Sequence, residues 1–124
     1  MNNLLWVAAI ILAAAFFGSG LMKVVQGKEK LKKAGMGWVD FFSPGMVKLI
    51  GAVEVLAAIG LILPAVLDVA PILVPLAALG LVVTMAGAII THARMKDYKG
   101  MVPAIVLLLL SAFVAWGRFG PYSF

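Results

Sequence analysis

Four long apolar stretches, separated by short polar or proline-marked breaks, dominate the pattern of this chain. They cover about residues 4–25, 45–63, 69–91 and 102–118. A hydrocarbon core of roughly 30 Å needs about 20 helical residues at 1.5 Å each, and the first three stretches supply them. The fourth is shorter, so Phe119 and Tyr122 are expected to anchor its end at the interface. The pattern predicts an all-α fold: one domain over residues 1–124, built as an antiparallel bundle of four transmembrane helices.

The breaks between the stretches carry helix-end signals. Ser43 followed by Pro44 predicts an N-cap with proline in the first turn of the second helix. Pro64 is expected to end that helix. Pro71 and Pro103 are expected to begin the third and fourth helices.

Composition agrees with a lipid environment. The chain is 65% hydrophobic and 12% charged, with a mean hydropathy of +1.15. A small soluble domain cannot hide that much apolar surface, because much of its area stays exposed to solvent. The sequence has no cysteine, which excludes disulfides, thiolate metal sites and a Cys-x-x-Cys relay.

The basic residues are distributed unevenly between the two sides of the predicted bundle. Nine of ten lie in or beside the first and third loops: Lys23, Lys28, Lys30, Lys32, Lys33, Lys48, Arg94, Lys96 and Lys99. Only Arg118 lies on the other side. Short basic loops favour the cytoplasmic face. The bias predicts a multi-pass protein of the cytoplasmic (inner) membrane with both termini outside, and the net charge of +5 needs no nucleic acid to explain it.

The first loop is both basic and aromatic. Residues 28–34 predict a short basic helix, which Trp38, Phe41 and Phe42 follow. This combination favours a segment lying in the headgroup layer against anionic lipid. The expected headgroup contacts are Lys28, Lys30, Lys32, Lys33 and Trp38. The simpler alternative is positive-inside bias with an aromatic belt.

Glu54, near the middle of the second stretch, is the principal candidate functional residue. An ionised carboxylate at that depth costs at least about 2.5 to 3.5 kcal/mol, so it should be protonated, paired or next to a wet cavity. Helical side chains lean toward the N-terminus, which turns Lys23 and His92 toward the membrane interior and Lys48 away from it. Lys23 is therefore ranked first as its partner and His92 second. Lys48 and Arg118 are candidates of second rank.

Rows of small and hydroxyl-bearing residues predict the inward faces of the helices, because such rows let backbones approach closely. The rows are Ala8, Leu12, Ala15, Ser19 and Lys23; Gly51, Glu54, Ala58 and Leu61; Ala77, Gly80, Thr84, Gly87 and Thr91; and Ala104, Ser111, Ala115 and Arg118. These rows place Glu54 against protein and not lipid. They predict a buried polar seam of Glu54, Lys23, His92, Ser19, Thr84 and Thr91.

Six short runs follow one another over nearly the whole chain. They are SGLMK at 19–23, KLIGAVEVL at 48–56, GLILP at 60–64, PLAALGL at 75–81, GA and TH within 87–92, and GR at 117–118. In order and spacing they resemble the DoxX-like family of small four-helix membrane proteins. The family takes its name from a membrane subunit associated with thiosulfate:quinone oxidoreduction, and some relatives are linked to oxidative-stress defence. The resemblance implies a membrane redox or quinone-linked role and marks out Lys23, Lys48, Glu54, His92 and Arg118.

Three functions stay open. One histidine cannot supply a bis-histidine haem site, and no metal-ligand cluster is visible, so an electron carrier would be a diffusible quinone or belong to a partner. The preferred hypothesis is an accessory or scaffold subunit of a membrane redox assembly, without catalytic activity of its own, bound to other subunits or to itself. The second is binding or processing of a quinone or another lipophilic molecule, with Glu54 as proton acceptor. The third is a small proton-coupled exporter.

Overall fold

Four long helices and one short helix make up the described part of the chain, residues 2–33 and 42–124 of the computed structural model. They are α1 (Asn2–Val25), α2 (Lys28–Lys33), α3 (Pro44–Leu67), α4 (Leu73–Arg94) and α5 (Tyr98–Phe119), and the described residues contain no strand. All but α2 are long and apolar enough to cross a membrane. The predicted all-α fold with four transmembrane helices is confirmed.

The four long helices pack in a ring. α1 lies along α3 and α4 lies along α5, while looser α3–α4 and α1–α5 contacts close the ring. We call the end where α1 and α4 finish the basic end, and the opposite end the terminal end. The core is apolar and draws on every long helix: Leu12, Phe16, Ala58, Leu61, Leu81, Met85, Val114 and Ala115. Many leucine, isoleucine and valine side chains are instead exposed on the outside, as a bundle surrounded by lipid requires.

Helix α3 begins as predicted but ends later. The Ser43 side chain caps it by accepting a hydrogen bond from the Met46 N–H at 3.1 Å. Pro64 does not end it, and the helix continues to Leu67 before Asp68 takes a left-handed conformation with φ of 53°. Proline removes a single hydrogen bond, whereas a helix end leaves four carbonyls without helical partners, so lipid favours continuation.

Helix α5 begins earlier than predicted. The Asp97 side chain caps it by accepting a hydrogen bond from the Gly100 N–H at 3.1 Å. Pro103 therefore lies inside the helix, which has the same 22 residues as α4. The prediction of a short fourth span was wrong, because the polar first turn of α5 belongs to the helix. Pro71 also lies outside the helix it was expected to begin, since α4 starts at Leu73.

The basic segment after α1 forms the six-residue helix α2, which has an apolar contact. Leu31 is 0% exposed and packs against Val47 of α3. Lys30, Lys32 and Lys33 surround it in the sequence KEKLKK. The predicted headgroup contacts of these lysines stay a prediction, and Trp38 and the side chain of Lys28 lie outside the described residues.

Candidate functional site

A buried ion pair joins α1 to α3. Lys23, in the last turn of α1, donates a hydrogen bond from Nζ to Oε1 of Glu54. The two residues are 7% and 1% exposed. The side chains lean toward each other because each points to the N-terminus of its own helix and the helices are antiparallel. Removing one partner of such a pair typically costs about 3–5 kcal/mol, since the other charge is left buried alone.

Two glycines allow this pair to form. Gly20 precedes Lys23 by three residues and Gly51 precedes Glu54 by three, so both glycines lie one turn away on the facing sides of α1 and α3. A Cβ added to Gly51 would lie 2.6 Å from the Cβ of Lys23. The close approach of the two backbones therefore depends on the absence of side chains at these positions.

A cavity of about 710 Å³ lies beside the ion pair, toward the basic end. Residues of α1, α3, α4 and α5 and Phe42 surround this basic-end cavity. Its polar lining side chains are Ser19, Lys23, Glu54, Thr84, Thr91 and His92, and most of the remaining wall is apolar. The volume falls within the roughly 300–1,000 Å³ of typical small-molecule sites. All six residues of the predicted polar seam thus line one cavity.

The basic-end cavity opens sideways between α3 and α4. Leu49 and Val53 of α3 and Val83 of α4 line it, yet these three side chains are 57%, 43% and 66% exposed. The opening faces the apolar outer surface of the bundle.

His92 was the second-ranked candidate partner of Glu54, but it pairs with Asp97 instead. The His92 Nδ1 and the Asp97 Oδ2 are 3.0 Å apart. The reason is local: Asp97 follows His92 by only five residues and is held in place as the N-cap of α5. His92 still lines the basic-end cavity.

The two threonines of the seam bond to their own helix. The Thr84 hydroxyl donates to the Gly80 carbonyl at 2.8 Å, and the Thr91 hydroxyl donates to the Gly87 carbonyl at 2.9 Å. Their hydroxyl protons are therefore engaged, while their oxygens can still accept a hydrogen bond from a molecule in the cavity.

The second-rank candidates lie elsewhere. Lys48 is exposed near the start of α3 and is not part of the cavity wall. Arg118 is 4% exposed at the terminal end. Its Nη1 donates to the Asn2 side-chain oxygen at 2.6 Å and to the Tyr122 carbonyl at 2.9 Å.

Aromatic rings complete the surroundings of Arg118. The centre of its guanidinium lies 4.0 Å from the ring centroid of Phe124 and 5.6 Å from that of Trp6. This cation–π arrangement holds the last residues of the chain against the start of α1. Arg118 therefore closes the terminal end of the bundle, far from Glu54.

The predicted inward face of α4 was partly wrong. Gly80 and Gly87 of the small-residue row are exposed. The buried row of α4 is Val74, Pro75, Ala78, Leu81 and Met85, of which all but Ala78 are larger. Ala15 of α1 is likewise exposed. On α4 the small residues border α3 and the cavity, while bulkier side chains fill the centre of the bundle.

Sequence reasoning missed Asp97 and Gly20 as parts of the site. Asp97 precedes Tyr98 in a pattern typical of an N-cap, and that signal was available. The Gly20–Gly51 contact can be recognised only when the positions of both helices are known. Among the described residues, no group of three or more His, Asp and Glu side chains comes together in a way suited to a metal ion.

A family model described as the DoxX-like family matches residues 7–114. The chain belongs to the DoxX-like family. The match includes Lys23, Glu54 and His92, whereas Arg118 lies beyond it. Comparisons with curated proteins and with solved structures gave no significant match. The protein is thus a DoxX-like multi-pass membrane protein whose cavity residues all fall within the region typical of the family.

Proposed function

We propose that this DoxX-like protein binds a lipophilic small molecule with a polar head, of the quinone class, in the basic-end cavity. The observation that carries the proposal is the cavity itself, with a largely apolar wall that contains the buried Lys23–Glu54 pair. An apolar slot with a few polar groups is the usual form of a small-molecule site. The residues present therefore fit such a ligand.

The chain's own groups have separable tasks in this proposal. The apolar wall and the sideways opening would admit and hold the hydrophobic part of the ligand. Lys23 orients the Glu54 carboxylate, and Oε2 of Glu54 is the atom that would accept a proton from the polar head of the ligand. A bound quinone would supply electron transfer, which the chain's side chains do not provide.

The other two hypotheses have less support. A protein that is only a scaffold needs the Lys23–Glu54 pair to hold α1 and α3 together but has no need of the cavity. The two roles are compatible, because a ligand-binding protein can also be a subunit of a redox assembly. An exporter needs access from both sides of the membrane, whereas at the terminal end Arg118 joins the start of α1 to Phe124.

We also propose that the basic end faces the cytoplasm in the cytoplasmic membrane, with both termini outside. The support is the distribution of charge: nine of the ten basic residues lie in or beside the loops at the basic end, and short basic loops favour the cytoplasmic face. The ligand would then enter from the cytoplasmic half of the hydrocarbon layer.

The test fills part of the cavity with a larger side chain. Ala88 lines the cavity, while Ala93 lies on the same helix and is exposed. Calorimetric titration of decylubiquinone into protein in lipid nanodiscs should show binding to the wild type and to Ala93→Leu, and binding at least about tenfold weaker to Ala88→Leu. Equal binding by both variants, or no binding by the wild type, would contradict the proposal.

A further inference from the structure

One carboxylate oxygen of Glu54 has no partner. Oε1 accepts the hydrogen bond from Lys23, whereas Oε2 is buried without any hydrogen-bond partner in the described part of the chain. Glu54 is 1% exposed and forms part of the cavity wall. Buried polar atoms are nearly always satisfied, so an exception of this kind points to a ligand.

The neighbouring hydroxyls do not satisfy this oxygen. The protons of Thr84 and Thr91 are already donated to carbonyls within α4. Ser19, the third hydroxyl on the cavity wall, does not donate to Oε2 either. A molecule that reached Oε2 from the cavity would supply the hydrogen-bond donor that the described residues do not supply.

The chemistry of Oε2 restricts what that partner can be. A carboxylate paired with a lysine ammonium offers only lone pairs at its second oxygen, so it can accept a hydrogen bond but not donate one. A phenolic hydroxyl would donate a charge-assisted hydrogen bond, which is stronger than a neutral one. A quinone carbonyl would instead bring its lone pairs against those of Glu54.

We infer that the basic-end cavity selects ligands whose polar head donates a hydrogen bond to Oε2 of Glu54, namely lipophilic phenols and hydroquinones, over heads that carry only acceptors. The inference rests on the proposed function and adds a ligand preference to it. For a quinone couple it means that the site holds the reduced, hydroxyl-bearing form more tightly than the oxidised form.

Two redox-inert ligands that differ in their hydroxyl groups test the contribution of the hydroxyl donor to binding. 5-Pentylresorcinol and its dimethyl ether share one carbon skeleton and differ in hydroxyl donors. In nanodiscs the wild type should bind the resorcinol at least about tenfold more tightly than the ether, because a hydrogen bond to a charged group is lost with the ether. Glu54→Gln should reduce that ratio to about threefold or less, since its neutral amide no longer provides a charge-assisted acceptor.

The matched control is Glu29→Gln, which makes the same substitution at an exposed position of α2 and should keep the wild-type ratio. A second measurement needs no variant. The infrared antisymmetric carboxylate band of the wild-type protein should shift when the resorcinol binds and stay in place when the ether binds.

The outcomes separate the two proposals. If decylubiquinone does not bind the wild type, the proposed function fails. If the resorcinol and the ether bind the wild type equally and neither shifts the carboxylate band, ligand binding stands and the donor preference is overturned. A preference that survives in folded Glu54→Gln would also overturn it.

Discussion

Gly20 of α1 and Gly51 of α3 face each other at a point where the two backbones touch. A Cβ added to either glycine would lie 2.6 Å from the carbonyl oxygen of the other. Real Cβ atoms do not approach backbone oxygens so closely, and backbone cannot move aside as a flexible side chain can. The two glycines therefore set the distance between α1 and α3, and this distance lets the side chains of Lys23 and Glu54 meet.

Gly20→Ala is expected to destabilise the protein. The added methyl group must push α1 away from α3, and overpacking of this kind typically costs about 1–3 kcal/mol. Thermal or denaturant unfolding in detergent measures the loss. Gly18→Ala is the control, because a Cβ at Gly18 meets nothing within 4 Å. A Gly20→Ala protein as stable as Gly18→Ala would show that the contact is not close.

Lys23→Met is expected to lower the free energy of unfolding by about 3–5 kcal/mol, because it leaves the Glu54 charge buried without its cation. Adding Glu54→Gln to Lys23→Met should recover much of that loss, since the second substitution removes the charge. A double-mutant cycle of unfolding free energies measures the coupling. Lys48→Met, at an exposed position of α3, should change stability by no more than about 0.5 kcal/mol. If Lys23→Met changes the free energy of unfolding as little as Lys48→Met does, the ion pair contributes little to stability.

Arg118→Lys is expected to loosen the end of the chain. Lysine keeps the charge but loses the planar guanidinium that lies over Phe124 and donates a hydrogen bond to Asn2. The amide of Tyr122, which donates to the Gly117 carbonyl at 2.8 Å, should exchange its hydrogen about tenfold faster, equivalent to about 1.4 kcal/mol. Arg94→Lys, exposed at the end of α4, should leave that exchange rate unchanged. Equal rates in both variants would rule out the closing role of Arg118.

The proposed orientation predicts which engineered cysteines react from outside the cell. The sequence has no cysteine, so single substitutions give no background from this chain. A membrane-impermeant maleimide should label Ser123→Cys in intact cells and Glu29→Cys only after lysis. The reverse pattern would place the basic end outside.

The amino-acid sequence by itself determined the four transmembrane helices. Crossing a bilayer depends on the summed transfer free energy of about 20 consecutive residues, which is a local property of the chain. The same local reasoning placed Glu54 within protein, because a charge in lipid is costly wherever the neighbouring helices lie. It also ranked Lys23 first as the partner of Glu54, because the lean of a helical side chain follows from chain direction alone.

Helix ends were less accessible to sequence reasoning. Prolines were expected to begin or end helices, as they do in water. Pro64 and Pro103 lie inside helices instead, because a membrane helix loses more by ending than by omitting one hydrogen bond. Asp97, a polar residue between two apolar stretches, caps the start of α5.

Only the tertiary structure decided the contents of the site. The pairing of His92 with Asp97, the cavity with its sideways opening and the unpartnered oxygen of Glu54 all depend on how the helices are rotated about their axes and spaced apart. That arrangement comes from contacts between residues distant in sequence, of which Gly20 and Gly51 are the closest example. A periodic pattern on one helix cannot specify it, because the same stripe of small residues can border a neighbouring helix, a cavity or the core.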